Sequence, residues 1–192
     1  MTELEQNIQS YFGVVKNEDL QAISSFFHLN TLKKGEYFLK EGKPCEQLSF
    51  IRSGVLRIFK THDGKEVTQW LSVKGTFVTD LASLFFEGSA RWTIQCLSDC
   101  ELYTISRENY KQIGTVVPKW HELEKLFLIK CFTFMEDRIH GFLSLPAEER
   151  YNVFFENNRE LFNQVPLQYI ASMLGMTPET LSRLRNKQVK NS

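Results

Sequence analysis

Residues 165–184 have the sequence VPLQYIASMLGMTPETLSRL, which predicts two helices joined by a tight turn. Pro166 suits the first helical position, because the N–H that proline lacks would have no partner there. Gly175 follows the last apolar residue of this helix, where a residue in the left-handed region commonly ends a helix. Thr177 can then cap the second helix, with Pro178 at its first position. The segment is therefore predicted to form a helix-turn-helix.

The two predicted helices share an apolar core and leave a polar face outward. Ala171 is small at the point where the second helix would cross the first. The residues predicted to fill the shared core are Ile170, Leu174, Met176, Leu181 and Leu184. Those predicted to face outward are Thr180, Ser182, Arg183 and Lys187.

Positive charge is concentrated at this end of the chain. The whole sequence carries 23 Lys and Arg against 23 Asp and Glu, which argues against a generally basic surface. From Thr180 to Ser192, however, the sequence has no acid and four cations, Arg183, Arg185, Lys187 and Lys190. A helix-turn-helix with such a second helix predicts DNA binding in the major groove. The residues predicted to contact DNA are Thr177, Pro178, Glu179, Thr180, Ser182, Arg183, Arg185 and Lys187.

The same segment admits a second interpretation. A Thr-Pro-Glu cap also occurs in ordinary αα-hairpins, so the alternative is a module that senses a small molecule and acts through protein contacts. In the DNA-binding interpretation, Glu179 can accept from a cytosine amino group and Arg183 can clamp a guanine. Salt-dependent DNA binding separates the two hypotheses.

The N-terminal part of the chain has a different pattern. Apolar residues at helical spacing predict two short helices within residues 3–28. Between Thr31 and Ile105, short apolar runs are separated by glycines about ten residues apart, which predicts a β-sandwich or barrel. Asp63 and Gly64 lie between two such runs and accept the positive φ of a tight hairpin turn.

A long helix is predicted from Lys119 to Leu143, with two apolar stripes. One stripe, Leu123, Phe127, Cys131 and Phe134, would cover the β-domain. The other has heptad-like spacing and is predicted to form a homodimer interface through Leu128, Phe132, Met135, Ile139 and Phe142. The alternative is a helix buried within one core.

Enzymatic function is not expected, because the sequence has no nucleophile elbow, zinc-protease or phosphate-loop motif. No catalytic or metal-ligating residue is therefore proposed. Of the four cysteines, Cys96 and Cys100 are closest in sequence, but on one extended strand their α-carbons would lie about 13 Å apart, too far for one tetrahedral ion.

The chain is expected to be cytoplasmic and to have no membrane partner. It has no run of about 18 apolar residues, and its first residues, MTELEQNIQS, lack the basic and apolar regions of a signal peptide.

Motifs spread over nearly the whole chain resemble those of the Crp/Fnr family of bacterial regulators. These motifs are LKKGE at 32–36, IRSGVL at 51–56, the Asp63-Gly64 hairpin and GTFVTDL at 75–81. The resemblance implies an α+β fold with an N-terminal β-barrel sensor of the double-stranded β-helix or jelly-roll type. A long dimerisation helix and a C-terminal winged-helix-like helix-turn-helix domain would follow.

The resemblance also implies a division of the chain and a set of partners. The sensor would occupy residues 1–118, the dimerisation helix 119–145 and the DNA-binding domain 146–192. The implied partners are double-stranded DNA with a palindromic operator, a second copy of the chain, RNA polymerase and a small-molecule effector of unknown identity.

The effector pocket departs from the pattern of the nucleotide-binding members of this family. By resemblance, it comprises Val78, Thr79, Asp80, Leu81, Arg91, Trp92 and Thr93. Thr79 stands where those members have a glycine, and Asp80 is one methylene shorter than their ribose-binding glutamate. Ala90 stands where their phosphate-binding arginine would be, and Arg91 comes one residue late. We therefore expect no cofactor and no binding of cyclic AMP.

Overall fold

The computed structural model describes residues 1–13 and 15–191, with side chains described up to Gln188. The side chain of Lys190, one of the four predicted cations, lies outside the described residues. The chain forms two compact units: the first comprises Met1–Ile58 and Ser72–Phe132, and the second comprises Phe59–Leu71 and Thr133–Ser192. The predicted division at residues 118 and 145 stays a prediction.

In the described residues, eight strands form two four-stranded sheets. The strands are β1 (His28–Leu32), β2 (Tyr37–Leu39), β3 (Gln47–Ser53), β4 (Leu56–His62), β5 (Lys65–Ser72), β6 (Phe77–Val78), β7 (Thr93–Cys96) and β8 (Cys100–Ser106). One sheet has the order β1-β8-β3-β6 and the other the order β2-β7-β4-β5. The pairs β1–β8, β3–β8, β3–β6 and β2–β7 are antiparallel. This is the jelly-roll arrangement that the resemblance implied.

Among the residues that the structure describes, five helices accompany the strands and four follow them at the C-terminal end. The first five are α1 (Glu3–Phe12), α2 (Asn17–Ser24), α3 (Leu81–Phe86), α4 (Arg107–Val116) and α5 (Trp120–Ser144). The last four are α6 (Ala147–Asn157), α7 (Leu161–Gln164), α8 (Leu167–Met173) and α9 (Pro178–Asn191). The two short N-terminal helices and the long helix are thus confirmed. No helix in the described part of the chain is long and apolar enough to cross a membrane.

The first unit is held together by an apolar cluster between α1, β3 and the N-terminal half of α5. Phe12 stacks on Phe127 with ring centroids 4.9 Å apart, and Phe77 meets Phe127 edge to face at 5.0 Å. Leu123 is buried in the same cluster and Cys131 packs against it. Three members of the predicted inner stripe of α5 therefore do cover the β-domain, because their spacing keeps them on one face of the helix.

The turn between β4 and β5 has the conformation that its sequence predicts. Asp63 has φ 49° and Gly64 has φ 73°, so both central residues lie in the left-handed region required by a primed turn. Residues 59–71, which contain this turn, belong to the second unit. There Trp70 packs edge to face on Phe134 at 5.0 Å, so the fourth residue of the inner stripe contacts the hairpin.

The second unit differs from the expectation in one respect. Its described residues from 147 to 191 consist of helices and turns without a strand, so the winged form of the motif is not observed within them.

Candidate nucleic-acid interface and effector pocket

The turn between α8 and α9 is built by backbone hydrogen bonds around Gly175. Gly175 has φ 66°, and its N–H donates to the Ser172 carbonyl at 3.1 Å. The Met176 N–H donates to the Ala171 carbonyl at 3.0 Å. These two bonds form a Schellman motif, which ends α8 and reverses the chain within a few residues.

The first turn of α9 is capped by side chains, as predicted. The Thr177 Oγ1 accepts from the Thr180 N–H at 3.2 Å, and Pro178 is the first helical residue. The pKa of Glu179 is lowered by hydrogen bonds from its own backbone N–H and from the Thr177 hydroxyl. A negative charge at this end of the helix also interacts favourably with the helix dipole. Glu179 therefore presents an ionised acceptor at the exposed start of α9.

Burial separates the two faces of α9. Leu181 and Leu184 point into the core of the motif, where Ile170 and Ala171 of α8 are fully buried. Met176 is only half-buried, although it was predicted to fill this core. The packing of small and branched side chains fixes which face of α9 remains outward.

An open groove runs along the outward face of α9. It is lined by Pro178, Glu179, Ser182, Arg183, Asn186 and Lys187. Thr177 is also exposed, whereas Thr180 and Arg185 are half-buried. Asn186 was missed by the sequence analysis, although it lies four residues after Ser182 and three after Arg183, and is therefore on the same face.

The two cations of this groove differ in their surroundings. The Lys187 Nζ lies 2.6 Å from a carboxylate oxygen of Glu148 on α6. Within the part of the chain that the structure describes, Arg183 forms no ion pair. Arg183 is therefore available to a partner, while Lys187 already has one.

Two arginines, one on α5 and one on α6, hydrogen-bond to the helix-turn-helix. Arg138 of α5 donates to the Met173 carbonyl at 3.2 Å, and Arg150 of α6 donates from Nε to the Leu174 carbonyl at 3.1 Å. Both carbonyls lie at the C-terminal end of α8, where positive charge is favourable. Burial lowers the pKa of Arg138 to about 10.

Phe142, the last residue of the predicted dimer stripe, contacts the same two arginines. The guanidinium groups of Arg138 and Arg150 lie 5.4 and 5.2 Å from the centre of the Phe142 ring. A Cβ atom on Gly175 would come within 2.9 Å of the same ring. Phe142 therefore packs on its own helix-turn-helix, a contact that the heptad spacing did not indicate.

The predicted dimer stripe is exposed along its whole length, including Phe142, whose exposed fraction is 39%. The exposed fractions are 41% for Leu128, 65% for Phe132, 40% for Met135 and 56% for Ile139. These side chains form a row along one side of α5. An apolar row of this kind in a single chain is typical of an interaction surface.

Asp80 in the candidate effector pocket is engaged by its own chain. The residue is buried, and it forms the N-cap of α3 by accepting from the Ser83 N–H at 3.1 Å. Its other carboxylate oxygen accepts from the Arg91 N–H at 2.7 Å, and the Arg91 side chain lies 4.0 Å away. The short side chain keeps the carboxylate close to the backbone, where it accepts from both the first turn of α3 and the Arg91 N–H.

The other pocket residues are held in similar local contacts. The Thr79 hydroxyl donates to the Gln47 carbonyl at 2.9 Å, and the Thr93 hydroxyl accepts from the Glu41 N–H at 3.2 Å. Val78 is buried, whereas Leu81 and Trp92 are half-buried. Arg91 is exposed and precedes β7, so the structure brings it to Asp80 but leaves its side chain largely in solvent.

The cysteines are arranged differently from the sequence-based expectation. Cys96 and Cys100 do not share one strand, because β7 ends at Cys96 and β8 begins at Cys100. The two residues therefore do not lie on one extended strand, as the estimate of about 13 Å assumed. Among the described residues, no group of three or more His, Cys, Asp or Glu side chains could hold a metal ion.

Residues 29–114 match the cyclic nucleotide-binding domain family. The matched segment covers β1 to β8, α3 and most of α4, and contains the candidate effector pocket. No curated protein matches the sequence.

Several solved structures share this fold over most of the chain. The c-di-GMP-responsive global regulator CLP from Xanthomonas campestris has a TM-score of 0.68 at 17% identity, covering 92% of this chain and 93% of its own. FixK2 from Bradyrhizobium japonicum has a TM-score of 0.70 at 18% identity, covering 86% and 85%. The catabolite activator protein from Thermus thermophilus has a TM-score of 0.58 at 22% identity, covering 94% and 87%. The resemblance to Crp/Fnr-type regulators is thus confirmed at the level of the fold.

Proposed function

We propose that this chain, which has the fold of the Crp/Fnr-type regulators, is a homodimeric transcriptional regulator that binds DNA through α9. The observation that carries the proposal is the outward face of α9, where Glu179, Ser182 and Arg183 are exposed above a buried apolar face. Helix-turn-helix proteins place the first turns of this second helix against base edges in the major groove. An enzymatic activity is not proposed, because the sequence has no nucleophile elbow, zinc-protease or phosphate-loop motif.

The side chains that line the groove on α9 can contact the edges of DNA bases in the major groove. The ionised Glu179 carboxylate can accept a hydrogen bond from the amino group of cytosine. The Arg183 guanidinium can donate two hydrogen bonds to guanine. Pro178 offers only apolar contact, which suits a thymine methyl group. Together these side chains predict direct reading of a few base pairs in each half-site.

A second copy of the chain would supply the second half-site. Dimerisation through the exposed row on α5 would remove Leu128, Phe132, Met135 and Ile139 from water. A two-fold symmetric dimer presents two α9 helices to a palindromic operator. RNA polymerase is then the further partner of a bound regulator, as the resemblance implies.

The effector is proposed to be a molecule other than cyclic AMP. Asp80 already accepts from Ser83 and Arg91, and Ala90 contributes no charge for a phosphate. A cyclic phosphate bound here would lose its hydration without gaining a bidentate partner.

We expect no measurable heat of binding when cyclic AMP or cyclic GMP is titrated into the full chain in a calorimeter. The physical reason is the missing arginine and the internally occupied Asp80 carboxylate. A micromolar dissociation constant for either nucleotide, lost in the Asp80→Ala variant, would contradict this expectation.

The Glu148 carboxylate is expected to weaken DNA binding by holding Lys187. In Glu148→Gln this competition is removed, and we expect the affinity for a duplex to rise about two- to five-fold at low salt, the range of an exposed ion pair. The gain should shrink as salt screens the charges. Fluorescence anisotropy with a labelled duplex measures both effects.

Glu149→Gln is the matched control for this prediction. It removes the same charge from the next residue of α6, which is exposed like Glu148. Equal tightening in both variants would show that overall charge, not the pair with Lys187, limits binding.

The alternative, a small-molecule sensor that acts through protein contacts, is tested by the salt dependence of duplex binding. A DNA-binding chain loses affinity steeply and linearly on a logarithmic salt scale, because it releases counterions from the phosphates. If the chain does not bind duplexes at 50 mM salt, the result supports the alternative.

A further inference from the structure

Asn186 lies on the outward face of α9, in the third turn of the helix. It is exposed, and it lines the groove together with Glu179, Ser182 and Arg183. Asn186 comes seven residues after Glu179, which is almost two full turns of an α-helix, so the two side chains leave the helix within about 20° of each other. Asn186 therefore shares the face that is proposed to enter the major groove.

The amide group of Asn186 has no partner in its own chain. Among the residues that the structure describes, no side chain or backbone group hydrogen-bonds to it. Asn157 at the end of α6 differs, because its Nδ2 donates to the Val153 carbonyl one turn earlier at 2.9 Å. Asn186 does not use the equivalent carbonyl of its own helix, so its donor and its acceptor are both available to another molecule.

Helix stability does not account for an asparagine at this position. Asparagine is among the poorer helix formers, because its side chain competes with the helix for backbone hydrogen bonds. Alanine or lysine would suit an exposed position inside a helix better. What Asn186 adds to α9 is its amide group.

We propose that Asn186 is a further specificity-determining residue of α9 and reads an adenine in each half-site, an inference that rests on the proposed DNA-binding function. The Asn186 Oδ1 accepts from the adenine amino group while its Nδ2 donates to adenine N7. Among the four bases, only adenine presents both a donor and an acceptor on its own major-groove edge. An amide side chain matches both of them at once.

Three side chains of the groove then suit three different bases. Glu179 only accepts hydrogen bonds, Arg183 only donates them, and Asn186 does both. These patterns match cytosine, guanine and adenine respectively. The rise of an α-helix places Asn186 about 10 Å along α9 from Glu179, which is about the length of three base-pair steps. The adenine is therefore expected at a separate position of the half-site, within about three base pairs of the cytosine.

A contact with a DNA phosphate is the competing role for Asn186. A phosphate only accepts hydrogen bonds, so it would use Nδ2 and leave Oδ1 without a partner. Cations bind phosphates more strongly, and the groove has one in Lys187. The two roles can be separated, because loss of a phosphate contact weakens binding to all sequences alike, whereas loss of a base contact acts at one position.

The experiment selects bound duplexes from a random pool with the full chain and with Asn186→Ala. Fluorescence anisotropy then measures binding to single-base variants of the selected site. The unmodified chain should prefer adenine at one position of each half-site by roughly 5- to 150-fold, and Asn186→Ala should lose this preference and keep the others. Alanine is the better helix former, so we expect the variant to fold, which circular dichroism checks.

Asn186→Asp tests the hydrogen-bond pattern with a side chain of the same shape. An aspartate only accepts, so the preference at this position should change from adenine to cytosine. The added negative charge should also weaken binding to every duplex, because it repels the phosphates. Asn163→Asp is the matched control, since Asn163 is an exposed residue of α7 in the same unit. It adds the same charge and should leave base preference unchanged.

Two results for Asn186→Ala would overturn this inference alone. One is an equal loss of affinity for all duplexes, which assigns a phosphate contact. The other is binding with the affinity and the base preference of the unmodified chain. In both cases the proposed function stands if Arg183→Ala still loses discrimination at its own base pair. A selected pool with no shared sequence from the unmodified chain would overturn the inference and the proposed function together.

Discussion

Met135→Glu is expected to convert the protein from a dimer to a monomer. Met135 is 40% exposed in the single chain and lies in the centre of the apolar row on α5, between Phe132 and Ile139. In the proposed dimer its side chain would be removed from water, and a glutamate there would be buried without a partner. Such a charge costs several kcal/mol, enough to dissociate a typical dimer.

Analytical ultracentrifugation measures this effect, with circular dichroism as the test that the variant is folded. Thr133→Glu is the matched control, because Thr133 is exposed on α5 and lies about 160° around the helix from Met135. The control should sediment as the dimer. A folded Met135→Glu variant that sediments as the same dimer would show that another face of the molecule makes the contact.

Arg183→Ala is expected to weaken binding at the preferred operator by about 1–3 kcal/mol, or roughly 5- to 150-fold. The expectation follows from the position of Arg183 on the outward face of α9, where it forms no ion pair within the described residues. The loss should be accompanied by relaxed discrimination at one base pair of each half-site, because a guanidinium reads guanine by two hydrogen bonds.

Arg159→Ala provides the matched control for the Arg183 variant. Arg159 is exposed in the same unit, but it lies over the Phe155 ring and is remote in sequence from α9. Removing it lowers the net charge by the same amount, so it should weaken all duplexes slightly and leave base preference unchanged. If the two variants bind the operator with equal affinity and selectivity, Arg183 does not read bases.

The parts of the fold that local sequence determines were predicted correctly. The caps of α9, the Schellman turn at Gly175 and the hairpin at Asp63-Gly64 each depend on residues within a few positions of one another. Turn and cap preferences act at that range, so a single sequence is sufficient to predict them.

Contacts between distant residues were not predictable in the same way. Lys187 and Glu148 are 39 positions apart, and nothing in the charge pattern indicated that they pair. Cys96 and Cys100 lie on different strands, because β7 ends at the first cysteine and β8 begins at the second. Periodicity could not show where β7 ends, so the pair was placed on one extended strand.

The role of Asp80 illustrates a third limit. The sequence showed a carboxylate one methylene shorter than the resemblance would require, which indicated weaker contact with a ribose. It did not indicate that this carboxylate would cap α3 and bind the Arg91 N–H. The cap at Ser83 is local, but the Arg91 N–H, eleven residues further along the chain, is brought to Asp80 by the fold.

Selection of bound duplexes from a random pool by the full chain tests the proposed function most directly. The proposal predicts enrichment of a two-fold symmetric site whose half-sites are centred about 10 base pairs, or one helical turn, apart. The same pool selected with Arg183→Ala should lose its preference at one position in each half-site. A selected pool with no shared sequence, from a chain that is folded and dimeric, would contradict the proposal that α9 reads DNA.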